Sequence, residues 1–98
     1  MERVYTVGKD RKKQLDELLA KDPYAPISFG RISPVIKEIG DSIFIYVKSE
    51  EDAVFKFVEE QVKTIEGQQA KKEEEERVID AVHKDEEAAA GGFGNIFG

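Results

Sequence analysis

The chain has no cysteine and no tryptophan, a single histidine and three prolines in 98 residues. Without cysteine there can be no disulfide, zinc ribbon, iron–sulfur cluster or thiol nucleophile. The single histidine, His83, lies in a charged stretch outside the core pattern. A nucleophile–base pair drawn from Ser28, Ser33, Ser42 or Ser49 therefore has no imidazole to use. No Walker-type glycine loop occurs either. These absences argue against an enzyme, and no catalytic residue is assigned. Asp80, His83 and Glu87 share a helical face at ligand-like spacing, but nothing in the sequence builds a pocket around them, so no metal and no cofactor are expected. No stretch approaches the roughly 18 consecutive apolar residues of a membrane span. No basic-then-apolar leader opens the chain. The expectation is a cytoplasmic protein without a membrane partner.

Charge is abundant and unevenly placed. Charged residues make up 37% of the chain and the net charge is −6, against about 25% charged residues in an average soluble protein. Residues 1–67 carry 11 Lys/Arg against 13 Asp/Glu, and residues 68–98 carry 4 against 8. The acidic excess is thus concentrated at the C-terminal end. Such a balance argues against sequence-independent DNA binding, which depends on phosphate neutralisation by Lys and Arg. It leaves room for RNA on a local basic face.

The order of elements points to an α+β domain over residues 1–67. Glu2–Gly8 (ERVYTVG) reads as a strand. Asp10 is a plausible N-cap for a helix with Leu15, Leu18 and Leu19 on one face, stopping near Lys21 because Pro23 disfavours a helical Asp22. Ile27–Ile39 is strand-rich and bent near Pro34. Gly40-Asp41 suits a two-residue hairpin loop with glycine first. It leads into Ser42–Ser49 (SIFIYVKS), a strong strand by β-propensity. Ser49–Asp52 has the spacing of a capping box. The helix it opens carries Val54, Val58, Val62 and Ile65 along one stripe, with Phe55 and Phe57 on its flanks, and Gly67 ends it. The architecture expected is β-α-β-β-α, a three-stranded sheet with both helices on one face. A charged tail follows, helical or disordered.

The hairpin register assigns side chains to faces. Ile39 opposes Ser42, and Glu38, Lys37, Ile36 and Val35 oppose Ile43, Phe44, Ile45 and Tyr46 in turn. Ile36, Ile43, Ile45 and Val47 then point to the core, and Val35, Lys37, Phe44 and Tyr46 to the other side. That second face is half apolar. Three occupants fit it: a second subunit of a homodimer, the chain's own tail, or single-stranded RNA stacked on Phe44 and Tyr46 beside lysines.

Residues 68–90 form an acidic, helix-prone spacer whose only apolar cluster is Val78, Ile79, Ala81 and Val82. Residues 91–98 (GGFGNIFG) form a Gly/Phe-rich apolar tip. Phe93, Ile96 and Phe97 fall at i, i+3 and i+4, so they can share one helical face. Grouped large apolar residues on an acidic tether mark a segment that folds into a partner's groove, its glycines keeping it disordered when free.

The run EEAAAGGFGNIFG (Glu86–Gly98) resembles the C-terminal end of the archaeal acidic ribosomal stalk protein, an Ala/Glu-rich spacer followed by a Gly/Leu/Phe tip. The resemblance implies that Phe93 and Ile96 take the places of that family's leucine-type anchors, and that Phe97 and Gly98 match its final Phe-Gly. It also implies a translation GTPase or another translation factor as partner, and an archaeal source. Residues 1–67 lack the all-helical dimerisation domain of that family, so the resemblance is confined to the tail. The function expected is a non-enzymatic interaction protein. The alternatives are a small RNA-binding domain or a structural homo-oligomer.

Overall fold

Two short β-rich segments become the centre of the structure because both of their faces are covered. The computed structural model describes residues 1–21 and 24–97, with side chains as far as Ala88. β1 (Glu2–Gly8) pairs antiparallel with β3 (Ser42–Lys48), which pairs with β2 (Val35–Ile39). A two-residue strand, β4 (Gln68–Gln69), adds to the free side of β1, giving the order β2-β3-β1-β4. The sheet therefore has four strands rather than the three expected. Two glutamines carry no β signal, and only tertiary pairing makes them a strand.

The hairpin has the expected register, from Ile39↔Ser42 to Val35↔Tyr46. Gly40 takes φ +61° to make the turn, a backbone region that glycine enters without steric cost.

The first face is closed by α1 (Lys12–Ala20), a four-residue helical turn α2 (Phe29–Ile32), and α3 (Asp52–Lys63). Leu15, Leu18, Phe29, Phe55, Val58 and Val62 pack there on Tyr5, Val7, Ile43, Ile45 and Val47. Ile36, placed on this face by parity, stays 37% exposed because β2 is an edge strand.

Three local expectations change. Asp10 lies in a 3-10 turn (Lys9–Arg11) that precedes α1, so it does not cap the helix. The strand-rich reading of Ile27–Ile39 gives way to α2 before Val35. There Ser28 Oγ accepts a hydrogen bond from the Arg31 amide at 3.3 Å, and Ser33 turns left-handed at φ +52°. A cap at each end overrides the weak β preference of four residues. At α3 the capping box is displaced, because Ser49 Oγ accepts from the Glu51 amide at 3.0 Å and the N-cap is Glu51.

Gly67 ends α3 by close packing rather than by its own φ. Glu66 takes the left-handed turn at φ +62°, and the Gly67 amide donates to the Val62 carbonyl at 2.7 Å. A Cβ at Gly67 would stand 2.6 Å from Val7 Cγ1 and 2.8 Å from the Val62 carbonyl oxygen.

The second face is closed by α4 (Lys72–Phe97), which follows β4 directly. Within the segment expected to be a spacer (68–90), the part from β4 to Val82 thus packs on the sheet. Helices cover both faces of the sheet, α1 and α3 on one side and α4 on the other.

Candidate functional site

The cover over Phe44 and Tyr46 is built from a helix that is mostly polar. Glu73, Glu74 and Glu75 lie in its first turn, where carboxylates favour the positive end of the helix dipole. Its apolar stripe is short. Val78 and Val82 are buried and Ile79 is partly so, against Val4, Phe44, Tyr46 and Ala70, with Val35 at the margin. After Val82, residues 83–88 are all exposed. Among the described side chains, the apolar anchorage of α4 on the sheet therefore ends at Val82, short of the helix's middle.

Three polar contacts supplement that stripe. Where β4 runs out, the Val4 amide has no strand partner, and Glu75 Oε2 accepts its hydrogen bond at 3.1 Å. The Val4 carbonyl accepts from the Ala70 amide at 2.9 Å. A carboxylate thus takes the place of the next backbone carbonyl, satisfying a donor on a fully buried residue. Glu2 Oε2 accepts from the Tyr46 hydroxyl and also meets His83 Nε2 at 2.5 Å, bridging β1, β3 and α4. Lys37 on β2 pairs with Asp85 on α4.

These contacts shift two protonation equilibria. The Tyr46 hydroxyl, donating to Glu2, holds the Glu2 carboxyl below its ordinary range. Burial opposes that shift, and His83 reinforces it. Burial, and then the Glu2 carboxylate as acceptor, push the Tyr46 phenol well above its ordinary value. Both groups are held in the forms that make the bond.

The structure brings Val35, Lys37, Phe44 and Tyr46 together on one face, as the hairpin register requires, but under α4. Phe44 and Tyr46 are only 5% and 4% exposed, so they form no open stacking platform. The side chains of Phe93, Ile96 and Phe97, and Gly98, lie outside the described residues, as do Asp22 and Pro23. Glu2, Glu75 and His83 were not singled out as site residues by sequence reading. The one readable trace was helical spacing, which puts Glu75 on the side of α4 that carries Val78, Ile79 and Val82.

Chemistry has little to work with among the described residues. No group of three or more His, Asp or Glu side chains is arranged to hold a metal ion. His83 turns to Glu2, and Asp80 pairs with Lys84 at 3.1 Å. A hollow of about 500 Å³ is bordered by Glu73, Glu76, Arg77 and Asp80, all on α4, so no second element closes it. A groove of about 170 Å³ between the hairpin end and α4, lined by Ile39, Ser42, Phe44, Glu74, Arg77 and Val78, falls below the roughly 300–1,000 Å³ of ordinary ligand pockets. No described helix is long and apolar enough to cross a membrane.

No protein-family model matches the chain, and no similar curated protein or solved structure was found.

Proposed function

We propose that the chain is a non-enzymatic protein-interaction module of the cytoplasm. Its α+β body holds α4 at one end, and the other end of α4 docks Phe93, Ile96 and Phe97 into an apolar groove on a partner. A translation factor is the leading candidate, and among these a translational GTPase. The observation that carries this reading is the division of α4 into two parts. Among the described side chains its buried stripe ends at Val82, with residues 83–88 exposed; the helix continues to Phe97, and three large apolar residues are grouped in that continuation. Large apolar residues grouped at helical spacing at the end of an acidic segment are what a groove-binding segment needs.

The dimer and RNA readings both relied on the Phe44/Tyr46 face. α4 of the same chain occupies it, so either reading requires α4 to leave. That would strip the Val4 amide of its acceptor Glu75, and Glu2 and Lys37 of His83 and Asp85.

The test is calorimetric titration of the full chain into a purified archaeal translational GTPase, repeated with Phe97→Ala. The proposal expects saturable binding that Phe97→Ala abolishes, with an unchanged far-ultraviolet circular dichroism spectrum and melting temperature. Binding that survives Phe97→Ala, or no binding by the unaltered chain, overturns it.

A further inference from the structure

The turn at Gly40-Asp41 fixes which backbone groups of β2 (Val35–Ile39) face β3 and which face outward. A two-residue loop is closed by a pair that exchanges both of its hydrogen bonds, here Ile39 and Ser42. Pairs alternate along an antiparallel ladder, so Ile39, Lys37 and Val35 bond to β3. The amides and carbonyls of Ile36 and Glu38 point away from it. The same alternation holds on β1, which turns Val4 away from β3, so that its amide and carbonyl go to Glu75 and Ala70. β2 is the edge of the sheet, and among the described residues no hydrogen bond reaches the outward amides and carbonyls of Ile36 and Glu38.

Edge strands are commonly guarded by charge. Here both charges are answered within the chain. Lys37 pairs with Asp85 on α4, and Glu38 with Lys12 on α1 at 2.9 Å. The strand VIKEI is itself neutral in a chain of net charge −6. It also holds two of the four large apolar residues exposed among the described residues, Ile36 at 37% and Ile39 at 52%. An edge of this kind suits a strand that is equally short, neutral and apolar, and β2 of a second copy has those properties.

We infer that the chain self-associates through β2, two copies pairing antiparallel about a two-fold axis at Lys37. In that register Ile36 opposes the second copy's Glu38, and Glu38 opposes its Ile36. All the outward amides and carbonyls are then paired. The neighbouring registers fail. Centred on Ile36, the pairing sets Glu38 against Pro34, which has no amide hydrogen to give. Centred on Glu38, it sets Ile36 against Gly40, which leaves the strand at φ +61°. On the α4 side, Val35 meets the second copy's Ile39 and covers the more exposed isoleucine. The two lysines approach at the axis, each neutralised by its own Asp85. Such an axis stands perpendicular to the sheet, so one continuous sheet results with both α4 helices on the same face. α4 keeps its seat on Phe44 and Tyr46, and the association stands apart from the docking reading of the tip. A seam of one strand pair is narrow beside the roughly 20–30 residues a side of a standard interface, so the dimer exchanges with monomer.

Sedimentation equilibrium of the full chain from about 10 µM to about 1 mM should show reversible dimerisation. Glu38→Pro removes an outward amide hydrogen and leaves the β3 ladder whole, a place where an edge strand accepts proline. It should weaken association by about tenfold or more, with an unchanged far-ultraviolet circular dichroism spectrum. Glu38→Ala, which loses the carboxylate and keeps the amide, should associate as the unaltered chain does. A monomer throughout, or a dimer indifferent to Glu38→Pro, overturns the proposal.

Because the chain has no cysteine, cross-linking reads the register even where the proline variant does not fold. Across the axis the two copies of residue 37 stand about 4.5 Å apart at Cα, within disulfide reach, whereas those of residue 38 stand roughly 8 Å apart, beyond it. Lys37→Cys should therefore oxidise to a covalent dimer, and Glu38→Cys should remain monomeric under the same oxidant. Equal yields from both, or none from Lys37→Cys, overturn the proposal.

Discussion

Replacing Glu75 with alanine tests whether α4 is a structural part of the sheet or a charged helix resting on it. Glu75 Oε2 accepts from the Val4 amide at 3.1 Å. A backbone hydrogen bond to a charged acceptor contributes roughly 1.5–3 kcal/mol. Losing an acidic residue from the first turn of α4 costs about 0.3–1 kcal/mol more, and alanine's better helix propensity returns a few tenths. The net loss should be about 2 kcal/mol, or roughly 10 °C in melting temperature for a domain of this size. Glu76→Ala is the control. It removes the same charge from the neighbouring position, which is exposed, and should cost well under half as much. Urea unfolding followed by circular dichroism gives both values. Amide exchange at Val4 should accelerate at least tenfold in Glu75→Ala alone, since about 1.4 kcal/mol is a factor of ten. If Glu75→Ala is no worse than Glu76→Ala, the carboxylate is only a favourable helix-end charge, and the account of the sheet edge fails.

Further expectations concern the bridge, the α3 terminus and the tip. Glu2 has a lowered pKa in the folded chain, so its stabilising contribution is complete above its unfolded value, near pH 4.5, and is lost as pH falls through the lower folded value. The stability difference between the unaltered chain and Glu2→Gln, measured in urea, should be constant from pH 7 to 5.5 and shrink toward zero in stronger acid. A difference that persists undiminished in strong acid would contradict the bridge. Gly67→Ala forces a Cβ against Val7 Cγ1 and the Val62 carbonyl oxygen and should cost roughly 1–3 kcal/mol. A melting temperature at or above that of the unaltered chain would refute the close approach. Phe97→Ala should leave that temperature unchanged while abolishing binding to the translational GTPase.

Much of the fold is legible locally. Gly40-Asp41 between two β-rich runs sets the hairpin register, and the stripe from Val54 to Ile65 sets the face of α3. The second layer was half legible. Five consecutive buried residues, Ile43–Val47, form a continuous apolar run of the kind that belongs to strands covered on both faces. That pattern calls for a second cover. It does not say that Val78, Ile79 and Val82 supply it, because three apolar residues in a run of glutamates and lysines give a weak helical signal. The bridge was not legible at all. Glu2 stands 44 residues from Tyr46 and 81 from His83, and only the folded sheet with α4 on it joins them. Glu75 escaped notice for a related reason, since its partner is a backbone amide that carries no sequence signature.

The central claim is that α4 is anchored at one end and available at the other. A residue-resolved amide hydrogen-exchange profile along α4 of the free, full chain tests it most directly. Val78–Val82 should be protected about as strongly as the amides of β1 and β3, showing one cooperative body. Phe93, Ile96 and Phe97 should exchange orders of magnitude faster. Tip amides as slow as that of Val82 would contradict the account, because the three apolar residues would then already be buried in the fold or in a second copy.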